Sequence, residues 1–325
     1  MNYGEVKHNT VEDVEILKSS IGFFGCDDTS ITSILSQRNW SEKNLIIQKY
    51  NVKYNKNLEK DLRTHTRGNY KNSLISVLTE PSIYDTIQVR RALKSKNFKN
   101  FIEIFLTRNN QQKEMIKRIY LIKYESNLEH VVVEKFKGSI MRSLALSMIQ
   151  NYRDQDNSDQ DSNIGNRNDD STTVDMKLVS EDSDRLYQAG EAQRGTDEKP
   201  FIEIFTKRSF AHLSKLDSFY QNANPKGHSL VRAVELEFIG NVGSALLDIL
   251  LYAKEPYRYW AECFNRALSH WGSKENDLTR LSITQHYQAA NIKQAFLSCY
   301  NQSLVLKISK KTSGKYKKLI LLLIN

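Results

Sequence analysis

A short polar loop and one distant glutamate are the residues of this chain whose types and spacing best suit metal chemistry. The loop runs Gly190-Glu191-Ala192-Gln193-Arg194-Gly195-Thr196-Asp197-Glu198, and Glu237 follows some forty residues later. A glycine-rich loop ahead of a helix can turn its carbonyl oxygens outward, and a carboxylate brought beside it adds another hard oxygen ligand. Because calcium prefers such oxygens, the pattern predicts a calcium site. A simpler interpretation is that Asp197 and Glu198 only cap the next helix, and the two interpretations are compatible.

The elements that must position this loop come from an internal repeat. A glycine opens a late helix at Gly68, Gly138, Gly240 and Gly314, and the spacings are 70, 102 and 74 residues. The middle spacing becomes regular when about thirty residues of an acidic stretch are set aside. Apolar residues within the repeats recur at helical spacing, as in Ile292, Ala295, Phe296, Cys299 and Tyr300. The pattern predicts an all-α fold with four repeats of about 70 residues and about five helices each.

Composition excludes several other classes of protein. The 325 residues include only four prolines and 13 glycines, which favours long helices with short connections. No segment approaches the roughly 18 consecutive apolar residues of a membrane span, and the first residues lack a signal-peptide pattern, so we expect a cytoplasmic protein. The three cysteines stand at unrelated spacings, which fits neither a disulfide framework nor a zinc site.

The net charge of +9 is unevenly distributed. Residues 151–185 hold ten acids and four basic residues, so this part carries −6 and the remainder +15. Such a surplus favours anionic partners, whether lipid head groups, nucleic acid or acidic polymers.

Residues 153–179 are rich in Asn, Asp, Ser and Gln and have scarcely an apolar side chain. Such a composition cannot bury enough surface to offset its ordering entropy, so it predicts a disordered tether that proteases cut first. Alternatively, its acids screen the basic remainder, or its hydroxyl side chains are phosphorylated.

The loop, the Arg208-Ser209 pair after the following helix, and Glu237 three residues before Gly240 together resemble the third repeat of the annexins. The resemblance covers nearly the whole chain. It implies four five-helix repeats forming a curved disc, whose convex face binds acidic phospholipid through calcium. The boundaries are then an N-terminal tail and a linker between two pairs of repeats, as follows: tail 1–12, repeat 1 at 13–82, repeat 2 at 83–152, linker 153–179, repeat 3 at 180–254 and repeat 4 at 255–325.

The resemblance also implies a ligand set for calcium. In the third repeat the matching groups are the carbonyls of Gly190, Gln193 and Gly195 and the carboxylate of Glu237. The acid position of the other repeats holds His65, Lys135 and Lys311, and the loop of the second repeat is about two residues short. Because a lysine would repel the ion, only the third repeat is expected to bind calcium.

Residues at the tips of these loops are candidates for membrane contact. They are Phe23, Phe24, Arg194 and Trp271. Exposed aromatic rings settle at a membrane interface, although the same rings could instead fold beneath their loops.

The function that follows is calcium-dependent binding to acidic phospholipid membranes by a cytoplasmic, peripheral protein that is not an enzyme. The scattered histidines accompany no nucleophile, metal pair or phosphate-binding loop. One alternative is a calcium-independent structural protein with a cytoskeletal partner, as the divergent alpha-giardins resemble annexins while losing sites. Another is binding of other polyanions through the basic surface, but no array of stacking aromatics favours nucleic acid.

Overall fold

The computed structural model describes residues 5–22, 25–150, 152–154, 174–269 and 275–325. Most of these residues are helical, which confirms the all-α prediction. Their one departure from it is a two-residue antiparallel pair, β1 (Ile21–Gly22) and β2 (Gly25–Cys26).

The first two repeats contain five helices each, in the same order and of similar lengths. Those of repeat 1 are α1 (Thr10–Ser20), α2 (Asp28–Gln37), α3 (Trp40–Tyr54), α4 (Leu58–His65) and α5 (Gly68–Val77). Those of repeat 2 are α6 (Pro81–Lys94), α7 (Phe98–Leu106), α8 (Asn110–Tyr124), α9 (Leu128–Lys135) and α10 (Ser139–Gln150).

The last two repeats follow the same plan. Repeat 3 has α11 (Met176–Ala189), α12 (Glu198–Lys207), α13 (Phe210–Ala223), α14 (Leu230–Glu237) and α15 (Gly240–Lys254). Repeat 4 has α16 (Pro256–Leu268), α17 (Glu275–Gln285), α18 (Ala289–Tyr300), α19 (Leu304–Lys311) and α20 (Gly314–Leu323), with a 3₁₀ turn at His286–Gln288 before α18.

Short polar side chains set where many of these helices begin. The side chains of Asn9, Asp27, Asn57, Asn97 and Asn127 accept hydrogen bonds from backbone amides in the first turn that follows. These amides have no partner inside the helix, so such caps favour a start at that point.

The fourth helix of every repeat ends at a predicted acid position. Each has 8 residues, and their last residues are His65, Lys135, Glu237 and Lys311. Three residues on, the glycine takes a positive φ, between +59° and +96°. Few side chains tolerate that conformation, so glycine is needed to turn the chain into the fifth helix.

The helices divide into two compact units. One consists of residues 1–81 and 260–325, with repeats 1 and 4, and the other of residues 82–259, with repeats 2 and 3. Inside the second unit, α7 of repeat 2 packs against α15 of repeat 3, and α10 packs against α12. Inside the first unit, the apolar α20 packs against α2, α5 and α17.

A buried ion pair joins the first two helices in three of the repeats. Both oxygens of the aspartate accept hydrogen bonds from the arginine that follows the second helix, with distances of 2.5 to 3.2 Å. The pairs are Asp13 with Arg38, Asp85 with Arg108, and Asp182 with Arg208. This two-point geometry fixes the angle between the helices.

At both of its ends, the predicted linker contains residues that are part of the folded structure. Arg153 is buried, and its guanidinium donates to the carbonyls of Arg208 and Phe205 and lies 4.3 Å from the centre of the Phe210 ring. At the other end, Asp175 caps α11, and Val179 is fully buried. These contacts with repeat 3 were not foreseen from composition. Residues 155–173, the rest of the linker, lie outside the described residues.

Candidate calcium site

The structure brings Glu237 directly against the loop that follows α11. Gly190 ends that helix, and a Cβ atom placed on it would lie 3.1 Å from Cγ and 3.2 Å from Cδ of Glu237. The ring of Phe201 closes the same space from the side, at 3.3 Å. Because φ of Gly190 is −122°, this glycine is required for close approach rather than for a left-handed turn.

Thr196 holds the carboxylate in place. Its hydroxyl donates a short hydrogen bond to Oε2 of Glu237 across a sequence separation of 41 residues. The carboxylate has further lone pairs, so this bond orients Glu237 without exhausting it as an acceptor.

Hydrogen bonds within the loop keep it compact. The amides of Gln193 and Asp197 donate to the carbonyls of Gly190 and Ala189, at 3.0 and 2.7 Å, and the side-chain amide of Gln193 donates to Ala189 as well. Gly195 has φ of +86°. No hydrogen bond from a described residue ends on the carbonyl oxygens of Gln193 or Gly195.

These features fit the ligand set that the family resemblance implies. Glu237 contacts Gly190, and two of the three carbonyls accept no hydrogen bond from the described part of the chain. The carbonyl of Gly190 already accepts one, but a carbonyl oxygen has two lone pairs. Throughout the described part of the chain, no three His, Cys, Asp or Glu side chains form a cluster that could hold a metal ion.

Glu191 anchors the loop to the helices beneath it, a role that its place in the sequence did not predict. Its buried carboxylate accepts hydrogen bonds from the Tyr220 hydroxyl at 2.9 Å and the Asn224 amide at 2.6 Å, and it lies 2.5 Å from Nδ1 of His228. Lys226 donates to its backbone carbonyl at 2.6 Å. The loop is thereby attached to the connection between α13 and α14, the helix that ends in Glu237.

The ionisation of Glu191 follows from these contacts. Burial opposes the charged form, but the bonds from His228, Tyr220 and Asn224 outweigh it and lower the pKa of Glu191. Burial and the bond to Glu191 raise the pKa of Tyr220. Glu191 is therefore a carboxylate at neutral pH. In the sequence, the only indication of this role was that an acid follows the first glycine of the loop.

The structure also agrees with the interpretation that the residues after the loop cap the next helix. Asp197 is the N-cap of α12, and its side chain accepts a hydrogen bond from the Lys199 amide at 3.1 Å. Arg194 is exposed at the loop tip. The other candidates for membrane contact, Phe23, Phe24 and Trp271, lie outside the described residues.

The corresponding loop of repeat 1 has different contacts. It is flanked by the hydrogen-bonded strands β1 and β2, and the Cys26 thiol donates a hydrogen bond to the carbonyl of His65 at 3.6 Å. His65, at the acid position, is exposed, and its Nδ1 lies 2.8 Å from the carbonyl of Asp61 in its own helix.

The loop of repeat 2 is shorter than its sequence predicted. Three residues, 95–97, connect α6 to α7, whereas eight residues, 190–197, connect α11 to α12, so the difference is five residues rather than about two. The error arises because the end of a helix cannot be located to one residue from composition alone. Lys135 lies at the acid position, with its ammonium 3.8 Å from Glu134.

The chain matches the annexin family model in four separate regions, residues 12–77, 84–146, 181–249 and 259–323. These regions coincide closely with the four repeats seen in the structure.

Individual relatives show the same similarity. Annexin A7 of Dictyostelium discoideum is 33% identical over 316 residues, which is 97% of this chain and 64% of that protein. Annexin A13 of Mus musculus is 31% identical over 96% of this chain and 94% of its own length. The solved structure of annexin III superimposes with a TM-score of 0.88 at 27% identity, covering 98% of this chain and 95% of that one. The chain spans about three fifths of the length of several relatives, including the annexin A11 proteins.

Proposed function

The chain belongs to the annexin family, whose members generally bind phospholipid in a calcium-dependent way, and from that membership we propose that it binds acidic membranes through one calcium site in repeat 3. The proposed ligands are the carboxylate of Glu237 and the carbonyls of Gly190, Gln193 and Gly195. Annexins are typically not enzymes, and we propose no catalytic activity here.

One observation carries the proposal. The Glu237 carboxylate packs on the bare Cα of Gly190 and is held there by the Thr196 hydroxyl. A surface acid at the end of a helix would not need a glycine opposite it or a hydroxyl to orient it. This placement puts a negative charge beside a loop that offers backbone oxygens, as a calcium site requires.

Charge explains why such a site would prefer a membrane. Calcium bound by a single carboxylate retains about one positive charge and has room among its six to eight ligands for a lipid phosphate. The loop should therefore bind calcium weakly in solution and more tightly against an anionic surface. Arg194, exposed at the same tip, would add attraction for anionic head groups.

The remaining repeats support a single site. A histidine or lysine stands at the acid position in each of them: His65, Lys135 and Lys311. None of these supplies an anionic oxygen, and a lysine adds a repulsive charge. We therefore propose that repeats 1, 2 and 4 contribute no calcium ligand of this kind.

Membrane contact would be peripheral. No helix among the described residues is long and apolar enough to cross a bilayer. Annexins associate with membranes from the surface, and we propose the same for this chain, from the cytoplasmic side.

The decisive experiment replaces Glu237 with glutamine. Glu237→Gln keeps the size of the side chain and removes its charge, so calcium-dependent sedimentation with phosphatidylserine vesicles should be lost. Glu235→Gln is the matched control, because Glu235 lies on the same helix, exposed and paired with Arg232. It should sediment as the wild type does, and both variants should keep the wild-type circular dichroism spectrum and melting temperature.

The opposite result would favour the other candidate function. If Glu237→Gln and the wild type sediment equally with calcium, Glu237 is not a ligand. A structural protein that acts without calcium, with a cytoskeletal partner, would then be the better description.

A further inference from the structure

Repeat 2 contains a cavity of about 340 Å³ close to its own version of the calcium loop. It lies between the last turn of α6, the end of α8 and the helix α9 that ends at Lys135. Three basic side chains and one acid line it, namely Arg90, Lys94, Lys135 and Glu134. Tyr124, Ser126, Leu93 and Val131 complete the wall.

Two of the cations occupy positions in the sequence of repeat 2 that correspond, counted from its ion pair and its fourth helix, to two glutamates of repeat 3. Lys94 is the ninth residue after the ion-paired Asp85, as Glu191 is the ninth after Asp182. Lys135 ends the fourth helix, as Glu237 does. The charge at both positions is thus reversed, while the surrounding helices are retained.

Two tyrosines at corresponding positions have partners of opposite charge. Tyr120 and Tyr220 are each the twelfth residue after the arginine of the ion pair. The Tyr220 hydroxyl donates to the Glu191 carboxylate, whereas the Tyr120 hydroxyl accepts a hydrogen bond of 2.8 Å from Arg90. The tyrosine at this position therefore binds a carboxylate in repeat 3 and a guanidinium in repeat 2.

Arg90 is held so that its charge faces the cavity. Its guanidinium lies over the ring of Tyr124 at 5.1 Å and that of Tyr120 at 5.8 Å, and one nitrogen is bonded to the Tyr120 hydroxyl. A guanidinium fixed in this way keeps other donors available for a planar or tetrahedral anion. The connection between the first two helices has three residues in repeat 2 and eight in repeat 3.

We infer that this cavity binds a phosphomonoester group directly, without calcium. Arg90, Lys94 and Lys135 would donate to its oxygens, and Ser126 and Tyr124 add neutral donors at the wall. A monoester suits three cations against one carboxylate because it carries nearly two negative charges and three strong acceptor oxygens. The group could belong to a lipid head group or to a soluble phosphate.

The test uses the full-length chain in calcium chelator, with Lys94→Ala and Lys135→Ala combined. The control combines Lys207→Ala and Lys215→Ala, which remove two exposed lysines of the same compact unit outside the cavity. The soluble probe is inositol hexakisphosphate, measured by calorimetry. The membrane probes are vesicles with phosphatidylinositol phosphate and vesicles with phosphatidylserine at equal surface charge.

The cavity variant should bind the phosphomonoester probes about a hundredfold less tightly than the wild type and the control, since two charge-assisted hydrogen bonds are lost. A loss with both kinds of probe supports a site open to either source, and a loss with the phosphatidylinositol phosphate vesicles alone assigns it to a lipid head group. An equal loss in the control variant, equal binding to both vesicles, or no binding to any probe overturns the inference. Glu237→Gln should behave as the wild type here, so failure of the calcium proposal remains distinguishable.

Discussion

In repeat 3, one side chain is the proposed calcium ligand, and other residues hold that ligand in position. Glu237 would supply the charge, Gly190 the space and Thr196 the orientation. Glu191 differs from these, because its carboxylate is buried and contacts Tyr220, Asn224 and His228. Two acids of the same short region thus have separate tasks, one structural and one proposed for calcium.

Thr196 provides a residue-scale prediction. Thr196→Val keeps the shape but removes the hydroxyl that orients Glu237, so calcium affinity in the presence of phosphatidylserine vesicles should fall about tenfold, the value of one hydrogen bond to a charged group. Thr196→Ser restores the hydroxyl and should restore the affinity. Equal calcium dependence of vesicle binding in all three proteins would show that the bond to Glu237 has no part in the site.

Helix packing in the repeats depends on the buried aspartate–arginine pairs. Asp182 shows their effect most clearly, because its carboxylate accepts hydrogen bonds from Arg208 and lies 3.0 Å from Nε2 of His212. Burial opposes its ionisation, but the neighbouring His212 ring and the hydrogen bonds from Arg208 outweigh it and lower its pKa to about 2. Removing that charge would leave α11 and the end of α12 without their common attachment.

The pKa of Asp182 gives a prediction about acid stability. Because the folded pKa lies below the ordinary 3.8, the pair stabilises the fold above about pH 4, and this contribution is lost as the pH falls towards 2. Its size is about 2 kcal/mol. In urea unfolding, the stability difference between wild type and Asp182→Asn should therefore shrink by about that amount from pH 5 to pH 2.

Asp184→Asn serves as the control for this measurement. Asp184 lies two residues further along the same helix and is exposed. Its substitution should change stability little at either pH. A gap between wild type and Asp182→Asn that stays constant with pH would contradict the assigned pKa.

At the scale of the whole molecule, the distribution of charge governs the approach to an anionic surface. The net charge is +9, and residues 155–173 alone contain five aspartates against one arginine. The rest of the chain is correspondingly more basic. Long-range attraction of this kind mainly affects association rates and is screened by salt.

Neutralising this acidic segment should strengthen the attraction. Replacing its aspartates with asparagine raises the net charge from +9 to +14. We expect faster association with phosphatidylserine vesicles in stopped-flow measurements at low salt, and a difference from wild type that disappears as salt is raised. A control that exchanges asparagines of the same segment for serine leaves the charge unchanged and should associate as the wild type does. An effect that survives high salt would argue against electrostatic attraction.

Much of this architecture could be predicted from the sequence, because it depends on local patterns. Helical periodicity and the recurring glycines Gly68, Gly138, Gly240 and Gly314 indicated the repeats, since a positive φ three residues after a helix end is a local requirement. The resemblance to annexins singled out His65, Lys135, Glu237 and Lys311, three residues before these glycines, and in the structure each of them ends the fourth helix of its repeat. These features involve residues close together in the chain, where residue type and spacing are informative.

Only the tertiary structure showed which distant groups meet. The bond from Thr196 to Glu237 joins residues 41 apart, and His228 lies 37 residues from Glu191, so no local pattern announces either contact. Arg153 looked like part of a polar linker, yet its guanidinium reaches two carbonyls more than fifty residues on. Composition reports the average cost of burying a polar residue, whereas a particular partner can offset that cost, and partners are determined by packing.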